Sequence, residues 1–180
     1  MTSGGSSVAI TLDRHALIAL GANLGDPVAT VRRAIGELQR FSIEPVISSS
    51  LWRSAPVDCP PGSPPFVNAV AAIVPRLGET PETLLQALQA LERAAGRRPK
   101  RIHNEPRPLD LDLLAFRRET RQSPELTLPH PRAHRRAFVL APLAELAPDL
   151  RLPGWDRTVR EWLVALPDAA ALERLGGPAR

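Results

Sequence analysis

The stretch that most constrains the fold is Arg107-Pro108-Leu109-Asp110-Leu111-Asp112-Leu113-Leu114, in which two carboxylates alternate with leucines. Successive side chains of a β-strand point to opposite faces, so this spacing predicts a strand with Asp110 and Asp112 on one face. Two like charges side by side on a half-buried strand repel each other and are costly to desolvate. A divalent cation removes that cost, and Mg²⁺ is usually held by one or two carboxylates together with phosphate oxygens. The stretch therefore predicts a strand that carries a metal–phosphate site.

The segments before this strand predict alternating strands and helices. An apolar run that ends at Gly21 indicates a buried strand, and Asp26 followed by Pro27 is typical of a helix start. Thr80 and Pro81 predict a second helix start, and Gly96 suits its end. The predicted elements are a strand at 16–20, a helix at 27–40, strands at 43–52 and 66–74, a helix at 81–96 and the carboxylate strand.

The order of these elements is β-α-β-β-α-β, followed by a short strand at 126–128 and helices at 138–146 and 159–166. We therefore predict an α+β fold, a ferredoxin-like βαββαβ sandwich with C-terminal helical additions. Residues 1–14 are expected to be a flexible leader, 15–167 a single domain and 168–180 a flexible tail. A proline-rich segment at 55–65 and a basic segment at 97–108 are predicted loops.

Composition favours a folded protein and limits its location. Hydrophobic residues make up 43% of the 180 positions, as in globular proteins. The apolar runs are shorter than the about 18 residues that suggest a transmembrane helix. The N-terminal residues lack the pattern of a secretory signal, and the one cysteine, Cys59, cannot form an internal disulfide. We therefore expect a cytoplasmic protein without a membrane partner.

The positive charge of the chain comes almost wholly from arginine. The net charge is +4, and Lys100 is the one lysine. The planar guanidinium suits phosphate recognition, although an excess of arginine can also reflect genome composition. A basic balance also suits nucleic acid. The chain has few aromatic residues and no uninterrupted basic helix, so we expect no nucleic-acid partner.

Four blocks of the sequence, in order, resemble one known family. The blocks are Ala19-Leu20-Gly21-Ala22-Asn23-Leu24-Gly25-Asp26, Pro65-Phe66-Val67-Asn68-Ala69-Val70, Pro106-Arg107-Pro108-Leu109-Asp110-Leu111-Asp112, and Leu128-Pro129-His130-Pro131 followed by Arg136-Ala137-Phe138-Val139-Leu140. Together they resemble the 6-hydroxymethyl-7,8-dihydropterin pyrophosphokinases of folate biosynthesis, from about residue 17 to residue 153. The family fold is ferredoxin-like, which agrees with the order of elements.

The resemblance implies an activity and a metal site. The family transfers pyrophosphate from MgATP to the hydroxymethyl group of 6-hydroxymethyl-7,8-dihydropterin, giving AMP and the pterin diphosphate. Asp110 and Asp112 match its ligands for two Mg²⁺ ions, and Arg97 and Arg107 complete the implied catalytic set. Such transfers depend on positioning and charge neutralisation, and two metal ions can stabilise both the attacking and the leaving oxygens.

The resemblance also assigns residues to each substrate. The implied ATP contacts are Gln89, Glu92, Arg97, Lys100, Arg107, Leu113, His130 and Arg136. The pterin is expected to stack between Phe66 and Phe138, with Asn68 hydrogen-bonding its edge. Backbone groups near Ser54, Ala55 and Val57 would complete the pocket. We expect a monomer whose partners are these small molecules.

Loop closure is the expected route to a complete site. MgATP is expected to bind first and the pterin second, with segments 22–26 and 97–108 closing over them and 54–65 shaping the pterin pocket. Closure would exclude water, which could otherwise hydrolyse the pyrophosphoryl donor.

Several positions differ from the commoner family pattern. Asn104 and Glu105 stand where the family often has Trp-Gly, and Pro99 and Glu125 stand where some members have arginine. These differences affect the grip on ATP, so a relative that has lost activity is one alternative.

Two further alternatives follow from the fold alone. A metal-dependent nucleotidyl transferase or nuclease would need a third acidic ligand on a neighbouring strand, and none is evident. An RNA-binding module would need paired aromatics on the sheet, and the chain has no tyrosine.

Overall fold

A computed structural model describes residues 9–98 and 105–178, and its centre is a six-stranded antiparallel sheet. The main strands follow the order β5-β1-β4-β3-β8, and the short β2 also pairs with β4. A separate two-stranded sheet joins β6 and β7. The strands are β1 (Ala16–Ala22), β2 (Ile47–Ser48), β3 (Ser50–Ser54), β4 (Phe66–Ile73), β5 (Asp110–Phe116), β6 (Arg121–Gln122), β7 (Thr127–Leu128) and β8 (Glu173–Pro178).

The strand order confirms the predicted ferredoxin-like βαββαβ sandwich. The first predicted strand, β1, lies at the centre of the core, with β4 on one side and β5 on the other. All its pairings are antiparallel, from Ala16 opposite Ile73 to Ala22 opposite Val67. The carboxylate strand β5 lies at one edge of the sheet within the described part of the chain.

Helices cover both faces of this sheet. The helices are α1 (Pro27–Leu38), α2 (Pro81–Ala94), α3 (Ala137–Leu146) and α4 (Val159–Val164), with short 3₁₀ turns at Gln39–Phe41, Ala133–Arg135 and Ala169–Ala171. The predicted caps are confirmed, because the side chains of Asp26 and Thr80 accept hydrogen bonds from the first turns of α1 and α2. None of the helices in the described ranges is long and apolar enough to cross a membrane.

The sheet therefore separates two apolar cores. One core lies under α1 and α2 and contains Ile18 and Leu20 of the central strand. The other lies under α3 and α4 and contains Leu17 and Ala19. The C-terminal helical additions thus cover the face that a bare ferredoxin-like sandwich leaves open.

The strand predicted at 43–52 is interrupted at Ser49. The structure instead has β2 at Ile47–Ser48 and β3 at Ser50–Ser54. Ser49 is fully buried, its hydroxyl accepts a hydrogen bond from the Val70 amide, and its own amide donates to the Val70 carbonyl. A side-chain acceptor thus replaces the usual backbone partner, which breaks the regular ladder.

Both segments that were predicted to be flexible contain residues with defined structure in the described part of the chain. Residues 1–8 lie outside the described residues, but Leu12 is buried in the core under α3 and α4. Residues 173–178 form β8, which pairs with β3 through Trp52 opposite Arg174. The sequence of β8 contains two glycines and lacks apolar alternation, so periodicity does not reveal it.

Candidate active site

One row of residues crosses the sheet and defines the candidate site. Gly21 on β1 lies opposite Asp110 on β5 and also opposite Asn68 on β4. Paired residues on adjacent strands point to the same face, and strands are about 4.8 Å apart, so Asp110 and Asn68 lie about 10 Å apart across Gly21. A predicted metal ligand and a predicted pterin ligand are therefore neighbours on the face that α3 covers.

Arginines neutralise the first carboxylate. Arg97 Nη1 lies 2.8 Å from Asp110 Oδ1, and Arg107 Nη1 lies 2.9 Å from Asp110 Oδ2. Arg97 follows the end of α2, and its other partner is Glu92 on that helix. The two ends of the segment between α2 and β5 thus bring positive charge to one aspartate, and the same guanidinium groups can bind phosphate oxygens.

The second carboxylate has partners from the segment before α3. Arg136, the N-cap residue of that helix, places Nη1 3.1 Å from Asp112 Oδ2, and His130 Nε2 lies 3.8 Å from the same oxygen. Burial lowers the pKa of His130, against the opposing effect of Asp112. His130 Nδ1 accepts from the Arg132 amide, so the neutral ring carries its proton on Nε2, facing the site.

Glu92 closes the open edge of the carboxylate strand. Its Oε1 accepts a 2.7 Å hydrogen bond from the Leu111 amide, which lies between the two aspartates. An edge strand otherwise leaves such amides unpaired. Burial raises the pKa of Glu92 to about 7, although the Leu111 bond and the charge of Arg97 act in the opposite direction.

The predicted pterin residues of β3 and β4 lie together, with Ser54 and Asn68 buried and Phe66 half-buried. Asn68 Nδ2 donates to Ser54 Oγ at 2.9 Å, so its position is fixed from the neighbouring strand. Phe66 precedes Asn68 by two residues and shares its face. A Cβ built on Gly21 would lie 3.4 Å from Asn68 Oδ1 and 4.0 Å from Phe66 Cδ1. Glycine therefore keeps the floor of the site open beside both side chains.

The remaining predicted pterin residues border this group. Phe138 is half-buried at the start of α3, and the Arg136 guanidinium carbon lies 5.7 Å from its ring centroid. Ala55 and Val57 are exposed in the proline-rich loop that follows Ser54. Helix α3 therefore carries the second predicted aromatic ring, Phe138, and its N-cap residue Arg136 is the cation beside Asp112.

The chain is similar to known proteins over most of its length. The model of the 7,8-dihydro-6-hydroxymethylpterin-pyrophosphokinase (HPPK) family matches residues 17–148. The chain belongs to this family. A 2-amino-4-hydroxy-6-hydroxymethyldihydropteridine pyrophosphokinase of Pseudomonas aeruginosa is 42% identical over 161 residues, 89% of this chain and 96% of the relative. The Haemophilus influenzae protein of the same name is 42% identical over 139 residues, 77% of this chain and 84% of the relative.

Longer proteins also contain a region similar to this chain. A mitochondrial folate synthesis bifunctional protein of Arabidopsis thaliana is 38% identical over 92% of this chain, which spans 29% of that protein. The wild-type HPPK-DHPS structure of Plasmodium falciparum superposes with a TM-score of 0.64 at 13% identity, covering 84% of this chain and 44% of that chain. The structural likeness supports the HPPK fold.

The fold does not bring every predicted ATP residue to the carboxylates. Leu113 is buried in the core under α1 and α2, because strand alternation turns it away from Asp112. Only its backbone remains available for the predicted contact. Gln89 is exposed on α2, one turn before Glu92. Lys100 lies outside the described residues.

The positions that depart from the commoner HPPK pattern are spread over two loops. Pro99 and Asn104 lie outside the described residues, and Glu105 is half-buried just before Arg107. Glu125 is exposed in the turn between β6 and β7.

Sequence reasoning missed one side chain that shapes the site and one that joins α3 to the sheet. Asn23 was part of a matched block but received no role, and it hydrogen-bonds both the Arg107 segment and the proline-rich loop. Glu145 on α3 accepts hydrogen bonds from Ser50 and Trp52 and pairs with Arg174. Its partners are 93 or 95 residues before it and 29 residues after it, so no local pattern reveals them.

The donor set fits a cation shared with phosphate. In the described ranges, no group of three or more His, Cys, Asp or Glu side chains could hold a metal ion unaided. Asp110 and Asp112 on one face supply two carboxylates, which is the number that Mg²⁺ commonly takes from a protein when substrate phosphates complete its shell. The site therefore suits a metal that arrives with ATP.

Proposed function

We propose that the row through Gly21 is where this HPPK family member transfers pyrophosphate from MgATP to 6-hydroxymethyl-7,8-dihydropterin. Asp110 and Asp112 would hold two Mg²⁺ ions together with the ATP phosphates. Phe66, Asn68 and Phe138 would hold the pterin. The observation that carries this proposal is the pairing of Gly21 with both Asp110 and Asn68. It sets the two substrate sites about two strand spacings apart.

The arginines have two sets of partners in this proposal. Without nucleotide, Arg97 and Arg107 neutralise Asp110, and Arg136 neutralises Asp112. Bound Mg²⁺ would supply the positive charge that the carboxylates need and would polarise the phosphates. The guanidinium groups would then be available to phosphate oxygens, where charge builds up during transfer. The exchange keeps the site close to neutral in both states.

The pterin residues would orient one substrate toward the other. Asn68 is buried and held by Ser54, so its amide offers a donor and an acceptor in a fixed direction. Phe66 and Phe138 supply flat apolar surfaces for the ring. The hydroxyl oxygen of the pterin then attacks the β-phosphorus of ATP, and AMP leaves. Holding both reactants supplies much of the rate gain in such transfers.

The outer groups of the site would tune ATP binding. Neutral His130 can donate its Nε2 proton to a phosphate oxygen without adding a full charge. Glu92 keeps the backbone between the aspartates in place through Leu111. Gln89, Lys100 and the backbone of Leu113 remain proposed ATP contacts, and Ser54, Ala55 and Val57 remain proposed pterin contacts.

A labelling experiment tests the proposed reaction. The purified chain is incubated with [β-³²P]ATP, Mg²⁺ and 6-hydroxymethyl-7,8-dihydropterin, and the products are separated. Transfer of the terminal pyrophosphoryl unit places the label on the pterin and leaves AMP unlabelled. Label retained in ADP would show transfer of a single phosphoryl group and would contradict the proposal.

The location, the oligomeric state and the order of substrate binding are also part of the proposal. We propose a cytoplasmic monomer that binds MgATP before the pterin and acts without nucleic acid. Size-exclusion chromatography with light scattering tests the oligomeric state, and activity found only in a dimer fraction would contradict it.

A further inference from the structure

Asn23, which follows β1, fixes the backbone of Arg107. It is 3% exposed. Its side-chain Oδ1 accepts a 2.8 Å hydrogen bond from the Arg107 backbone amide, and the Asn23 backbone amide donates to the Arg107 carbonyl at 3.3 Å. Both backbone groups of Arg107 are therefore bound to one residue, while the Arg107 guanidinium reaches Asp110.

The other half of the same side chain binds the proline-rich loop. Asn23 Nδ2 donates to the Pro64 carbonyl at 3.2 Å, two residues before Phe66. The orientation of the amide is set by these partners, because an N–H needs an acceptor and a carbonyl needs a donor. Aspartate lacks the donor and alanine lacks both groups, so neither can make this bridge.

The bridge joins the parts of the chain that hold the two substrates. On one side is the arginine proposed to move from Asp110 to the ATP phosphates. On the other side is the loop between Ser54 and Phe66, which borders the proposed pterin pocket. A buried amide with two fixed partners moves only if both segments move with it, so ordering of one segment favours ordering of the other.

We propose that Asn23 is a positioning residue that couples the two substrate sites, so that MgATP binding raises the affinity for the pterin. This inference rests on the proposed function. Asn23 acts through Arg107 and Pro64. Coupling between two sites appears as the factor by which one ligand changes the affinity for the other, typically about 5-fold to 150-fold.

The test measures this factor by titration calorimetry. The dissociation constant of the pterin is determined with and without Mg²⁺ and α,β-methylene-ATP, which cannot transfer pyrophosphate. In the wild type we expect the nucleotide to tighten pterin binding. In Asn23→Ala we expect the factor to fall about tenfold toward unity. An unchanged factor would overturn the proposal.

Two further variants separate coupling from stability. Asn23→Asp keeps an acceptor for the Arg107 amide and loses the donor to Pro64, so it should lose the coupling that the calorimetric titrations measure. Gln39→Ala removes a similar amide bridge outside the site, between the Glu44 carbonyl and the Val46 amide, and should keep full coupling. Loss of coupling in Gln39→Ala to the same extent would overturn the specific role of Asn23.

The outcome also distinguishes the two proposals. A wild type that neither binds the pterin nor releases AMP contradicts the proposed function. A wild type that is active and coupled, with coupling retained in both Asn23 variants, contradicts the role of Asn23 alone. If Asn23→Ala fails to fold, Asn23→Asp decides the question, because it preserves the size of the buried side chain.

Discussion

The raised pKa of Glu92 makes the stability of the metal-free protein depend on pH. Burial raises this pKa from 4.5 to about 7. The folded state therefore binds the proton more tightly than the unfolded state, so the contribution to stability is complete below pH 4.5 and is lost as the pH rises through 7. A shift of about 2.5 units at 1.36 kcal/mol per unit corresponds to at most about 3 kcal/mol of unfolding free energy.

The variant Glu92→Gln isolates this effect, because its amide does not titrate and its oxygen can still accept from Leu111. Urea unfolding without Mg²⁺ is followed by tryptophan fluorescence from pH 5 to pH 8. The wild type should lose up to about 3 kcal/mol relative to the variant over this range. Glu82→Gln on the same helix is the control, because a hydrogen bond from Arg121 lowers the Glu82 pKa and its effect falls below that range. Parallel wild-type and Glu92→Gln curves would refute the reasoning.

Three further substitutions test other parts of the site. Gly21→Ala should weaken pterin binding about tenfold in calorimetry and leave MgATP binding unchanged, because the new methyl group would occupy the space beside Asn68 and Phe66; unchanged pterin affinity would contradict the open floor. Arg136→Ala should raise the KM for ATP about tenfold in steady-state assays, since one charged hydrogen bond is worth about 1.5–3 kcal/mol, and an unaltered KM would remove it from the ATP site. Glu145→Gln weakens the contact with Arg174 and should lower the unfolding free energy by about 1–2 kcal/mol in urea titrations; equal stability would show that the contact with β8 contributes little.

Local patterns were sufficient for the elements that position the carboxylates. Alternation placed Asp110 and Asp112 on one face, and cap residues set the starts of α1 and α2. Strand alternation and helix capping both depend on residues that are close together in the chain, so the sequence alone is enough to predict them. The matched blocks then supplied the residues that are predicted to contact each substrate.

Long-range contacts account for what the sequence did not reveal. The sequence pattern predicts Ser49 as one more residue of a strand. The hydrogen bond from the Val70 amide to the Ser49 hydroxyl shows why the strand is interrupted there. The sequence pattern predicts Gly21 as the end of a strand. The pairing of β1 with β4 and β5 places it between Asn68 and Asp110. Such roles arise from pairing between strands that are far apart in the chain, and a local pattern carries no register between distant segments.

The carboxylate pair is the central claim, and substitution of Asp112 tests it most directly. AMP release that depends on the pterin is measured for the wild type and for Asp112→Asn at saturating MgATP, with circular dichroism confirming that the variant folds. Loss of one group that stabilises the charge of the reacting phosphates predicts a decrease in kcat on the order of 100-fold or more. A folded Asp112→Asn variant that releases AMP at close to the wild-type rate would contradict the account.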